Sequence, residues 1–259
     1  MCKIKTMKFT FLGTGTSAGV PVLGCPCKVC HSTDPRDFRY RSAGLLETDT
    51  TRVLIDSGPD IRMQLMHRPF KKLDGVLLTH IHYDHVAGID DLRGFCVFGD
   101  INIFANRQTA DALRVTMPYC FTDKLYPGVP LLNLHTLEPG QTGQIGDIQF
   151  QAVEVMHGRL PILAYRFGPF AYITDMKTIS EESRELFRGV RTLVVNSLRF
   201  EREHHSHMLV GDAIDFARSI GAERTFLTHL THAIGLHDEA NSRLPEDVRF
   251  AYDGLTIEV

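Results

Sequence analysis

The sequence predicts an α/β protein whose strands and helices stack as a layered sandwich, and three observations carry that expectation. Short apolar runs recur along the chain, as in Gly75-Val76-Leu77-Leu78-Thr79 and Leu193-Val194-Val195-Asn196, the mark of buried strands. Segments of helical period lie between them, clearest where Leu209, Ala213, Ile214, Phe216, Ala217 and Ile220 share one face before the stop at Gly221. No repeat, low-complexity tract or Ser/Gly-rich linker interrupts this pattern, so residues 1–259 are expected to form one domain.

The elements follow in order. Met7 to Leu12 is the first strand, halted by Gly13 and Gly15. Leu45–Thr48 and Thr51–Ile55 are strands joined by a turn at Asp49-Thr50. Asp60 to His67 is a short helix closed by Pro69, and Gln108 to Val115 is helical in composition. Residues 117–134, with Pro118, Pro127, Gly128 and Pro130, are an irregular insertion whose one basic residue is Lys124. Thr178-Ile179-Ser180-Glu181 opens a helix as a capping box. Strands are expected at 148–155, 163–167, 170–174, 193–196 and 225–228. Asp253-Gly254, between Val248–Tyr252 and Leu255–Val259, is a strong two-residue hairpin signal.

Composition narrows the function classes. Apolar residues make up 43% and charged residues 23%, ordinary values for a soluble protein. A formal charge of −3 disfavours a general nucleic-acid binder. The N-terminal apolar run is too short for a signal segment, and no stretch approaches membrane-spanning length, so the expected location is cytoplasmic. Six cysteines in a reducing compartment read as metal ligands or buried thiols. The substrate class expected is a small molecule, and a homodimer is one assembly the sequence leaves open.

Two clusters carry chemistry. In Thr79-His80-Ile81-His82-Tyr83-Asp84-His85, four ligand-type side chains occupy six positions after a buried strand. Extended backbone points His80 and His82 the same way. A helix starting near Asp84 turns that carboxylate and His85 toward a neighbouring point. Mixed N/O donors of this kind suit zinc, manganese or iron. In Cys25-Pro26-Cys27-Lys28-Val29-Cys30, three thiols need a fourth donor. His31 adjoins the trio so closely that sharing its tetrahedron is strained, and His232 is the other candidate. Gly13, Gly15 and Gly19 do not make a dinucleotide loop, because Pro21 and the cysteines stand where a helix should begin.

His80-x-His82-x-Asp84-His85 resembles the hallmark of the metallo-β-lactamase superfamily, which implies a four-layer αββα sandwich with a dinuclear metal site. Ile55-Asp56-Ser57-Gly58 resembles that fold's earlier Asp motif. Glu154-Val155-Met156-His157-Gly158, Tyr172-Ile173-Thr174-Asp175 and Thr228-His229 resemble its remaining ligand positions. The resemblance implies that His80, His82 and His157 hold one divalent ion, zinc or manganese. It implies Asp84, His85 and His229 for the second, with Asp175 shared. The cysteine trio is similar to that of the phosphoribosyl cyclic phosphodiesterases of the carbon–phosphorus lyase pathway. That branch implies a structural zinc on Cys25, Cys27, Cys30 and His232. It further implies a phosphodiesterase in which hydroxide from water shared by two ions attacks phosphorus, Asp84 orients, and His207 of Glu203-His204-His205-Ser206-His207 is the general acid. Arg93 and Arg199 are candidate phosphate contacts, and Asn196 stands where an acid is expected. The competing expectations are a tRNA 3′-processing nuclease, a thioester or β-lactam hydrolase, and a non-catalytic cofactor-biosynthesis protein of the same fold.

Overall fold

The computed structural model describes residues 7–121 and 128–259. Cys2, the basic N-terminal start and Lys124 lie outside these residues. Seven strands form a first sheet in the order β14-β1-β2-β3-β4-β5-β6. They are β1 (Lys8–Gly13), β2 (Ala43–Glu47), β3 (Arg52–Ile55), β4 (Gly75–Leu77), β5 (Ile101–Asn106), β6 (Leu132–Leu137) and β14 (Thr256–Glu258). Seven more form a second sheet in the order β13-β12-β11-β10-β9-β8-β7. These are β7 (Thr142–Ile145), β8 (Ile148–His157), β9 (Leu160–Phe167), β10 (Phe170–Ile173), β11 (Thr192–Asn196), β12 (Arg224–Thr228) and β13 (Val248–Phe250). Each sheet is antiparallel at one side and parallel at the other, with the change at β3/β4 and at β10/β11.

Side-chain alternation explains the layering. Phe9, Phe11, Leu46, Val53 and Ile55 face Phe150, Leu163, Tyr165, Phe170 and Tyr172 in a core between the sheets. The Phe9 ring lies edge-on to Phe11 at 4.9 Å and 5.0 Å from Phe170. The alternate residues Leu12, Leu45, Leu54 and Val76 face outward, against Ile61, Val86, Ile89 and Leu113. These come from α1 (Ile61–Met66), α2 (Tyr83–Val86), a 3₁₀ segment (Ile89–Phe98) and α3 (Arg107–Thr116). On the far side Val153, Ile162, Ile173 and Val195 meet Phe187, Ala213, Phe216 and Ile220. Those residues follow from α4 (Glu181–Glu185) and α5 (Val210–Ile220), and α6 (His237–Asn241) closes that layer. The result is the four-layer α/β sandwich that the sequence predicts.

Four local expectations need correction. Asp253-Gly254 does not close a hairpin: β13 pairs with β12 in the second sheet and β14 with β1 in the first. The Asp253 carboxylate instead accepts from Thr14 Oγ1 at 2.7 Å and the Tyr40 amide at 2.6 Å, so tertiary bonds carry the chain between sheets. Within 117–134, Pro118–Cys120 is a 3₁₀ turn and the end of the segment enters β6, parallel to β5. The helix after Thr178 is capped by Ser180, which accepts from the Ser183 amide at 3.1 Å. Thr178 is held by backbone bonds to Met156 and is not free to cap. Finally β5, β6, β7 and α6 had no place in the sequence expectation. β6 and β7 alternate weakly and are half-exposed, so their period-two signal is faint.

Asn196, at the end of β11, has a defined task. Its Oδ1 accepts from the Met176 amide at 2.7 Å and its Nδ2 donates to the Met176 carbonyl at 2.9 Å. An acid there could not donate to that carbonyl, which accounts for the amide. Asn196 is fully buried. Asn196→Ala should therefore lower unfolding free energy by about 3 kcal/mol, two buried backbone groups losing their partner, as read by denaturant titration.

Candidate metal centre

The site lies where strand ends of both sheets meet. The chain leaves β4 at Leu77, passes through His80 and His82, and α2 then begins at Tyr83. Leu163 N donates to the Thr79 carbonyl at 3.0 Å, and Tyr165 Oη donates to the Leu78 carbonyl at 2.6 Å. The loop is thus clamped between the sheets before its first imidazole. Asp56, Asp175 and His229 follow β3, β10 and β12, and each has positive φ, at 63°, 57° and 57°. Left-handed backbone at a non-glycine residue costs about 1–3 kcal/mol and collects at functional sites. Gly58 is required for a different reason: a Cβ there would come within 2.0 Å of the Asp84 carbonyl.

Among the described residues, the donors converge in four overlapping groups, one of which joins His157 and Asp175 to His207. His80, His82 and His157 present ligand atoms within 4.8 Å of one another, as do Asp84, His85 and His229. Asp175 stands between, 3.3 Å from His85 Nε2 by one oxygen and 3.1 Å from His229 Nε2 by the other. Four of the rings are fixed through Nδ1. His80 meets Thr79 Oγ1 at 3.0 Å, and His85 meets Asp56 Oδ2 at 2.8 Å. His157 donates to the Ser206 carbonyl at 2.8 Å, and His229 meets Ser42 Oγ at 3.2 Å. Such partners aim Nε2 at a shared point and fix the tautomer, as second partners of metal-bound histidines do.

The donor set fits divalent cations. His80 Nε2 and His85 Nε2 are buried without a hydrogen-bond partner. Burial holds His80 and His157 below the ordinary imidazole value and takes His229 down to about 4, leaving neutral rings with a lone pair to give. Burial also opposes charge on His85, but the carboxylates of Asp175, Asp56 and Asp84 overcome it and raise that ring well above the usual range. Burial likewise opposes the Asp84 and Asp175 carboxylates, yet the imidazoles of His85 and His229 hold both ionised. Carboxylates packed among imidazole nitrogens in this way suit a cation. Asp56→Asn should preserve shape and weaken metal affinity about 10–100-fold, measured by competition with a chelator.

The cysteine loop forms a separate cluster. Cys25, Cys27 and Cys30 place sulfur 3.2, 3.3 and 3.4 Å from His232 Nδ1. His31 is exposed and turns to the Cys27 carbonyl instead. A hydrogen bond from the Cys30 amide lowers the Cys27 thiol to about 6, while burial pushes the Cys30 thiol up to about 11. A Cys₃His set of this shape fits a closed tetrahedral zinc site.

His207 reaches the centre: its Nε2 is 2.9 Å from Asp175 Oδ1, and its ring stacks on His229. His204 is half-buried against Ser206 and His207, and His205 is exposed. A cleft of about 720 Å³ opens beside His82 and His157, lined also by Arg159, Lys177 and His205. Arg93 and Arg199 are not among its walls. Arg93 is held by Asp90, and Arg199 by the carbonyls of Arg202 and Glu203. Arg159 was not singled out from the sequence, although a basic residue in the tight turn directly after His157 was a local signal for it. Ser42, Ser206 and Lys177 had no local signal, since only the fold brings them near.

Residues 51–230 match the sequence family described as the β-lactamase superfamily domain. The chain belongs to the metallo-β-lactamase superfamily. A diphosphatase of the PhnP family superposes with a TM-score of 0.90 at 34% identity, covering 98% of this chain and 97% of that one. The zinc-bound PqqB of Methylobacterium extorquens superposes at 0.76 with 19% identity, covering 97% and 100%, and shares the superfamily fold. By sequence, a Porphyromonas gingivalis protein named octanoyltransferase is 43% identical over 250 residues, 96% of this chain. The chain spans about half, 51%, of that relative's length. The superfamily implies divalent metal ions, and the His/Asp groups here fit a metal-dependent hydrolase. Among the described residues, no helix is long and apolar enough to cross a membrane.

Proposed function

We propose that the chain is a cytoplasmic, dinuclear metal-dependent phosphodiesterase acting on a small phosphodiester, a cyclic ribose phosphate among the candidates. The observation that carries this reading is His207 Nε2 at 2.9 Å from Asp175 Oδ1, an imidazole at the edge of two donor sets. His80, His82 and His157 would hold one ion, Asp84, His85 and His229 the other, with Asp175 between them. When bound, the two ions supply Lewis-acid polarisation of the phosphoryl group and a lowered pKa for water. Asp84 fixes the second donor set through its contact with His85, 3.2 Å away. His207 holds the proton at Nε2 that the leaving alkoxide requires and passes it to that oxygen. Arg159, on the cleft wall, is the cation offered to a bound phosphoryl oxygen, while Lys177 beside it is paired with Glu203 at 3.1 Å. Cys25, Cys27, Cys30 and His232 would bind a structural zinc.

The likeness to the PhnP-family diphosphatase over nearly the whole chain supports phosphoryl chemistry. A tRNA 3′-processing nuclease is disfavoured by the net charge of −3. In this reading the octanoyl transfer named for the longer relative resides in the half of that protein which this chain does not match. The test is a substrate panel on the zinc- or manganese-loaded enzyme: cyclic ribose phosphates, cyclic nucleotides, a thioester and a tRNA precursor. A small phosphodiester should turn over at least about a hundredfold faster than the thioester or the tRNA. Preferred cleavage of the tRNA or thioester would overturn the proposal.

A further inference from the structure

A second cleft lies over the outer face of the first sheet and shares no residue with the metal centre. α1, the turn at Arg68–Phe70 and the 3₁₀ segment enclose about 340 Å³, within the usual size range of small-molecule sites. Its apolar wall is Ile61, Leu65, Met66, Phe70, Leu92 and Phe95. The Phe70 ring lies 5.1 Å from both Phe95 and Phe98, yet Phe70 is 60% and Met66 46% exposed. Large apolar side chains gathered this way on a surface mark a binding face.

The charges say what binds. Arg52 is neutralised by Glu47 at 2.8 Å and donates to the Pro69 and Lys71 carbonyls, holding the turn that carries Phe70. Arg68 is different. Its guanidinium is half-buried in the cleft, and among the described residues it makes no direct ion pair or side-chain hydrogen bond; the Glu47 carboxylate that Arg52 binds acts on it only at longer range. Arg62 on the same wall is likewise unpaired, and Asp91 is the single free carboxylate opposite. An unpaired, half-buried guanidinium is costly unless an anion meets it, and its fork geometry matches a carboxylate. The narrow volume suits one aliphatic chain better than a protein segment.

We propose that this cleft binds an aliphatic chain ending in a carboxylate, with the chain against Phe70 and Phe95 and the carboxylate on Arg68. The test is calorimetric titration of the metal-loaded, full-length protein with nonanoate, nonylamine and nonanol. Nonanoate should bind saturably, and at least tenfold more tightly than either other probe. Arg68→Ala should weaken nonanoate at least tenfold while leaving nonanol and phosphodiester turnover unchanged. Arg68→Glu should reverse the preference toward nonylamine. Equal binding of all three probes, or nonanoate affinity unmoved by Arg68→Ala, would overturn the proposal. So would sedimentation showing a dimer that Phe70→Asp dissociates, because a second copy would then fill the cleft.

Discussion

His82→Ala is expected to leave the chain folded and to cut hydrolysis of a small phosphodiester about a thousandfold. His82 is the one exposed member of the histidine donors, with its ring edge-on to His80 at 4.5 Å and to His157 at 5.1 Å. Removing it opens no cavity, because the side chain already faces the cleft. What it takes away is one of three nitrogens of a donor set. Metal stabilisation of a phosphoryl transition state is worth several kcal/mol, and about 4 kcal/mol corresponds to that factor in rate. Thermal unfolding and circular dichroism should match the parent, while metal analysis falls short by up to one ion. Parental turnover in His82→Ala would sink the dinuclear reading.

Cys27→Ser should produce the opposite pattern, a large loss of stability with the metal. Residues 16–34 carry no helix or extended strand, and Leu23 within them is 99% exposed. Apolar burial in this loop is confined to Val20 and Val29, so the cysteine cluster carries much of its anchoring. It joins positions 205 residues apart in the chain, and such a closure without its metal costs about 3 kcal/mol or more. For a chain of this size that is a fall in Tm of roughly 6–12 °C. Plasma emission analysis should show one zinc fewer per chain. Unchanged zinc content would remove Cys27 from the ligand set.

The histidine loop was legible because its logic is local. Period-two geometry places His80 beside His82, and a helix start redirects Asp84 and His85, without reference to any other segment. Asp56, His157, Asp175 and His229 were reached through the family resemblance; each is a weak signal alone, and their shared place at strand ends makes the set coherent. The hydroxyls and carbonyls that fix those rings were not legible. Ser42 meets His229 across 187 residues and Ser206 meets His157 across 49, distances over which a sequence carries no periodic signal. The Asp253-Gly254 turn failed for the same reason. Its local chemistry favours a hairpin, but Thr14 and Tyr40 bond the carboxylate and draw the chain into the other sheet.

His229 and His232 have a consequence for how the molecule is assembled. Each is the final donor, in chain order, of a different cluster, and both sit on the few residues after β12. Until that stretch docks against the N-terminal loop, through Leu230 N to the Thr14 carbonyl at 2.8 Å, neither cluster is complete. Seating that one stretch therefore completes both clusters together. A chain that has not yet seated residues 228–232 lacks the last donor of both clusters. Cations meet it as an unfinished protein in both places at once.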